Sequence, residues 1–138
     1  MIIPEFMDRA KVIAKLLEHD IKSTTKRLEI AHYMLQRPQH LSADEILSGL
    51  SSENGKVSKA TVYNTLALFV EKGLIREILI NRERAFYDSN NTPHHHLYNV
   101  DTGTLSDIDV GVVNIEGIPN LPDGTKMDGY DLVIRVRN

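Results

Sequence analysis

No cysteine occurs among the 138 residues of this chain. That single absence excludes disulfides, zinc–thiolate sites and thiol redox sensing. Any bound metal must be held through nitrogen and oxygen. Also missing is an apolar run of the roughly 18 residues or more that a transmembrane helix needs. The opening Met1-Ile2-Ile3-Pro4-Glu5 has no basic stretch ahead of an apolar core, so a secretory signal is not expected. Cytoplasmic residence without membrane association is the expectation. There is no internal repeat and no low-complexity tract. An overall basic excess is lacking too, for the formal net charge is −3. The charge is unevenly spread. Residues 1–84 carry 13 Lys/Arg against 11 Asp/Glu, and residues 85–138 carry 3 against 8. The front half can therefore face phosphates and the back half cannot.

What is present begins with helical periodicity. Apolar residues at Met7, Ala10, Ile13, Ala14, Leu16 and Leu17 predict a helix over 7–19. Leu28, Ala31 and Leu35 predict a second over 25–36, stopped by Arg37-Pro38 because a residue before proline avoids α geometry. Ser42-Ala43-Asp44-Glu45 matches a capping box opening a third helix. Ser51-Ser52-Glu53-Asn54-Gly55 reads as a loop. Ser58 then caps a helix with Val62, Leu66 and Phe69 on one face, ended by Gly73. Residues 74–80 and 85–88 read as a strand and its return around a polar turn. One extra helix, three core helices and a hairpin make a winged helix-turn-helix. The fold class is α+β: a winged helix-turn-helix over 1–89, then a small α/β dimerisation and metal-sensing domain over 90–138.

In that second region, residues 95–100 and 104–109 predict strands joined by Asp101-Thr102-Gly103. A Gly- and Pro-rich loop spans 111–129, and residues 131–137 form a last strand. Three short strands cannot bury enough surface to stand alone. Pairing with a second copy is expected, giving a homodimer or a higher oligomer.

The fourth helix opens with Ser58, Lys59, Thr61, Tyr63 and Asn64, all able to hydrogen-bond. Recognition helices read bases with their early residues, and helix N-termini attract phosphates. Asparagine can bond adenine at two points, and a tyrosine ring can lie against a thymine methyl. Lys26 and Arg27 suit backbone contacts at the start of another helix. Arg82 and Arg84 suit phosphate or minor-groove contact at the wing tip. The expected partner is double-stranded operator DNA.

The stretch from Phe86 to His96 gathers a carboxylate, Asp88, and three of the six histidines. Residues i and i+2 of a strand share a face, so His94 and His96 can grip one ion while His95 points away.

These residues together resemble the ferric uptake regulator superfamily. The resemblance is carried by Thr24-Thr25-Lys26-Arg27, His40-Leu41-Ser42-Ala43-Asp44-Glu45, Ser58-Lys59-Ala60-Thr61-Val62-Tyr63, Lys72-Gly73-Leu74-Ile75, Tyr87-Asp88 and His94-His95-His96. It runs from about residue 20 to the end of the chain. Within the superfamily the chain looks most like the iron response regulator branch. Tyr63-Asn64-Thr65-Leu66, the cysteine-free triple histidine and the closing residues 131–137 are the points of likeness.

The resemblance implies a regulatory site of His40, Asp88, His94, His96 and Asp107, fit for Fe(II), Mn(II) or Zn(II). It places His40 and Asp88 on the DNA-reading half and the others on the dimer half. A bound ion would thus fix the angle between halves. The family's zinc-binding cysteine pairs are absent, Asn99 and Thr102 standing at the first pair's positions, so no structural zinc is expected. Pro93 and Asn114 occupy ligand positions of a second accessory site, leaving only His95. In the branch resembled, the triple histidine is implicated in haem response, which makes His95 a candidate haem contact. The plain alternative for His95 is a solvated strand histidine.

The function expected is a metal-responsive transcriptional regulator of iron or haem genes. A peroxide sensor, in which Fe(II) chemistry oxidises a ligand histidine, is the alternative within the superfamily. A metallohydrolase is the alternative outside it, against which stands the lack of a separate general base and of a Gly-rich phosphate loop.

Overall fold

The structure, a computed structural model, describes residues 8–37, 39–54, 57–80, 85–89 and 94–138. It divides into two compact units, Met1–Asn91 and Thr92–Asn138. Among the described residues no helix is long and apolar enough to cross a membrane.

The first unit opens with α1 (Arg9–Glu18), whose N-cap Asp8 accepts from the Lys11 amide at 2.9 Å. Its end is a Schellman turn. Asp20 takes φ 59°, and the Ile21 amide reaches back to the Leu16 carbonyl at 2.9 Å. Helix α2 (Thr25–Met34) is capped by Thr24. The third helix, α3 (Ala43–Asn54), starts on the expected box: the Ser42 amide donates to Glu45 Oε1 and the Glu45 amide to Ser42 Oγ, both at 3.2 Å. Residues 51–54, read from composition as loop, continue this helix. The Tyr33 ring sits where a β-carbon on Gly49 would be, so α2 and α3 approach closely there.

Helix α4 (Lys59–Glu71) buries Val62, Leu66 and Phe69 completely. Gly73, at φ 75°, closes a second Schellman turn, with the Leu74 amide 2.9 Å from the Phe69 carbonyl. His19 also serves this end, since its Nδ1 donates to the Lys72 carbonyl at 3.1 Å. Val12, Leu16, Ile30, Met34, Ile46, Leu50 and the apolar face of α4 form one core.

The wing contains a strand that the sequence reading missed. Beside β2 (Arg76–Leu79) and β3 (Ala85–Asp88) lies β1 (His40–Ser42), and the antiparallel order is β1-β3-β2. The central strand β3 therefore ties the region before α3 to the hairpin.

The second unit holds β4 (His94–Asn99), β5 (Leu105–Asp109), a 3-10 turn at Val110–Val112 and β6 (Val133–Val136). The order is β5-β4-β6, with β4 antiparallel to β5 and parallel to β6. Of the described hydrophobic residues here, only Tyr98 and Leu105 are buried, whereas Val112, Ile118, Leu121, Met127, Tyr130 and Ile134 are exposed.

Candidate metal centre

Strand β4 carries all three neighbouring histidines. Its alternation puts His94 and His96 on one face, their ring centroids 4.6 Å apart. The antiparallel register brings Asp107 of β5 directly opposite His96. One oxygen, Asp107 Oδ1, lies 3.6 Å from His94 Nε2 and 3.8 Å from His96 Nε2. These residues offer ligand atoms within 4.8 Å of one another. Both imidazoles are buried, and Asp107 is about half exposed.

The donor set fits a first-row divalent ion. Bonds of about 2.0–2.2 Å place neighbouring ligand atoms roughly 3.0–3.5 Å apart, close to the separations seen. Imidazole nitrogen and carboxylate oxygen suit iron, manganese or zinc, and nothing here selects a soft, thiolate-seeking ion. Coordination of an ion through Nε2 would leave the proton of each ring on Nδ1.

The first unit contributes a pair of its own. His40 at the start of β1 and Asp88 at the end of β3 are register partners. Asp88 is fully buried, and the His40 ring meets Phe86 edge-on at 6.4 Å. Side chains beside them hold this register. The Ser89 amide donates to the Gln39 carbonyl at 2.9 Å, and the Gln39 amide to Ser89 Oγ at 3.1 Å. Gln39 Nε2 donates onward to the Tyr33 and Met34 carbonyls, tying the strand to the end of α2. The roles of Gln39 and Ser89 were missed in the sequence. Neither is a ligand type or part of a motif.

His95 points away from His94 and His96, as strand alternation requires. It is not solvated, however. Only 5% of it is exposed, its Nδ1 has no hydrogen-bond partner, and the Tyr130 ring stacks on it at 6.0 Å.

The cysteine-free turn between β4 and β5 is closed by hydrogen bonds. Asn99 Oδ1 accepts from the amides of Asp101 and Thr102 at 2.9 and 3.1 Å. Asn99 Nδ2 donates to Asn138 Oδ1 at 2.9 Å, and the Asn138 amide donates to Asp101 Oδ2 at 2.7 Å. A structural zinc does not fit these amides. Asn99→Ala should cost about 1 kcal/mol, lowering the melting temperature without making it sensitive to chelators. An unchanged melting temperature would contradict this clasp.

The residues expected to read DNA fall into four groups. Tyr63 is 42% exposed and Asn64 is exposed on α4, with Lys59 Nζ 5.8 Å from the Tyr63 ring centroid. Ser58 and Thr61 are partly committed to the cap. Ser58 Oγ accepts from the Thr61 amide at 3.1 Å and donates to Thr61 Oγ1 at 2.7 Å. Lys26 is exposed, while Arg27 spends one N–H on the Lys22 carbonyl at 3.0 Å. Arg82 and Arg84 lie outside the described residues.

The Tyr87 phenol is raised above its usual value, first by burial, then by the nearby Glu77 carboxylate and Tyr63.

Comparison with known proteins matches residues 18–120 to the family described as the ferric uptake regulator family. A curated relative, the peroxide-responsive repressor PerR of Staphylococcus aureus strain Mu50, is 30% identical over 102 residues, 74% of this chain and 69% of that protein. Among solved structures, the ferric uptake regulator from Pseudomonas aeruginosa with manganese aligns with a TM-score of 0.69 at 23% identity, covering 91% of this chain and 96% of that one. The Helicobacter pylori ferric uptake regulator, described as having three functional metal binding sites, aligns with a TM-score of 0.70 at 14% identity, covering 97% and 94%.

Proposed function

This chain belongs to the ferric uptake regulator family, and from that premise we propose a homodimeric, cytoplasmic regulator whose operator binding is set by one divalent ion per protomer. As a member of a family of metal-responsive transcriptional regulators it is not an enzyme, and the metallohydrolase alternative falls.

The observation that carries the proposal is the convergence of His94, His96 and Asp107 on one point. Only five residues, 89–93, separate this half-site from Asp88 in the chain. We assign His40 and Asp88 as the ligands that complete it from the DNA-reading half. A bound ion would supply a positive centre that two carboxylates neutralise and that both halves share. The chain's own part is to hold these donors ready: the β4–β5 register sets one group, and the Gln39–Ser89 stitch sets the other. Ligands drawn from both halves give the two angular states different metal affinities, and only that difference can shift their populations. Two recognition helices must meet major grooves about 34 Å apart, so a changed angle changes operator binding.

Dimerisation is supported by the second unit's poor burial. Among its described residues Val112, Ile118, Leu121, Met127 and Tyr130, between β5 and β6, and Ile134 of β6 are exposed apolar side chains that a second copy would cover. Placement in the iron response regulator branch rests on the cysteine-free triple histidine and on Tyr63-Asn64-Thr65-Leu66. Iron, manganese and zinc all suit the donors.

The DNA-reading part is tested at Tyr63. Tyr63→Ala should weaken binding to a duplex enriched from a random library by about 1–3 kcal/mol, with no change in melting temperature because the side chain is 42% exposed. Unchanged affinity in a fluorescence anisotropy titration would remove Tyr63 from the interface.

Peroxide sensing is a second reading, favoured by the 30% identity to a peroxide-responsive repressor. It predicts that peroxide added to the Fe(II)-loaded protein leaves one extra oxygen on His40 or His94. Mass spectra showing both histidines unmodified would count against it.

A further inference from the structure

We propose that Gln39 is a positioning residue for the metal response, the tie by which movement at the His40 end of β1 is carried into α2. The proposal rests on the regulator reading above, with His40 as a ligand. A helix leaves its last carbonyls without partners of its own. At the end of α2 the Gln39 side chain supplies two donors, for its Nε2 donates to the Tyr33 carbonyl at 3.0 Å and to the Met34 carbonyl at 3.1 Å. An amide NH2 has two protons, and each has an acceptor here. The backbone of the same residue is held as well. Its amide donates to Ser89 Oγ at 3.1 Å, and its carbonyl accepts from the Ser89 amide at 2.9 Å. Ser89 Oγ donates on to the Arg37 carbonyl at 3.1 Å. One residue beside His40 thus joins the end of α2 to the residue that follows β3.

Strand β1 is only three residues long and pairs with β3. Its Ser42 end runs straight into α3 and is fixed by the capping box. At its His40 end the Gln39 side chain returns the chain to α2. That helix buries Ile30, Ala31 and Met34 in the core and carries Lys26 and Arg27, the candidate contacts to the DNA backbone, in its first turn. A shift of His40 as it closes on an ion therefore reaches α2 and moves the helix as a body. Were this end of β1 released from α2, His40 could follow the ion alone, and the displacement would be absorbed within a few residues. Metal and DNA affect each other only through elements that both sites bias. The tie consists of amides, carbonyls and one hydroxyl, so it works without any change of protonation.

Gln39→Met keeps the length of the side chain and removes both protons. The readout is the factor by which saturating Mn(II), against chelator, changes affinity for a duplex enriched by the wild-type protein from a random library. Because the site is saturated, a weaker hold on the ion does not by itself move this factor. We expect it to shrink about three- to tenfold toward one in Gln39→Met. Ser89→Ala, which cuts the backbone side of the same tie, should shrink it too. Ser42→Ala is the structural control. It removes the capping box at the other end of β1 and should lower the melting temperature while the factor holds. A purely structural loss at Gln39 would weaken binding in chelator and in manganese alike and leave the factor where it was. An unchanged factor in Gln39→Met, or a fall as large in Ser42→Ala, would each overturn the proposal. A wild-type protein whose DNA affinity is indifferent to manganese would instead overturn the regulator reading, and this proposal with it.

Discussion

Replacing His96 with alanine is expected to lower manganese affinity by at least about 100-fold, since even outer-shell partners of metal ligands are worth about 10–100-fold. His96 is completely buried, and its Nε2 lies 3.8 Å from Asp107 Oδ1. The control is its neighbour. His95 is equally part of β4 but turns to Tyr130, so His95→Ala should leave manganese affinity as it was. Isothermal calorimetry on both variants separates a ligand from a merely histidine-rich strand. Equal losses at 95 and 96, or none at 96, would dismantle the assignment.

Phe69→Ala should be the most destabilising single change in the first unit. The ring is 0% exposed in the last turn of α4 and packs into the helical core. Truncating a buried phenylalanine costs about 3–5 kcal/mol, against a total of about 5–15 kcal/mol for an ordinary domain. Its backbone carbonyl also receives the Leu74 amide in the turn that ends α4, so loosening there reaches the entry to β2. Leu79, 68% exposed on β2, is the contrast. Leu79→Ala should stay within about 0.5 kcal/mol of the parent. Urea denaturation measures both, and a Phe69→Ala midpoint near the parent's would mean that this core has been misread.

The sequence was most legible where local chemistry decides structure. The Ser42–Glu45 box, the apolar face Val62-Leu66-Phe69 and the Gly73 stop each act within a few residues, and each stands where the pattern placed it. The shared face of His94 and His96 follows from strand alternation alone. Long-range pairing left no such trace. His40-Leu41-Ser42 is too short to show a period, and only its pairing with β3 makes it a strand. The parallel β4–β6 contact joins segments more than thirty residues apart, with a loop between them that carries no pairing signal. His95 illustrates the same limit. Period two told which way it points, but what covers it, Tyr130, comes from the far end of that loop.

The most direct test of the account is reciprocal linkage between manganese and DNA. Anisotropy titrations of the enriched duplex across a range of free Mn(II), matched by manganese titrations with and without that duplex, give the two halves of one cycle. The account predicts one ion per protomer, a DNA affinity that changes with metal, and the same factor of change in metal affinity when DNA is bound. DNA affinity that is identical in chelator and in saturating manganese, with the ion bound all the same, would contradict it.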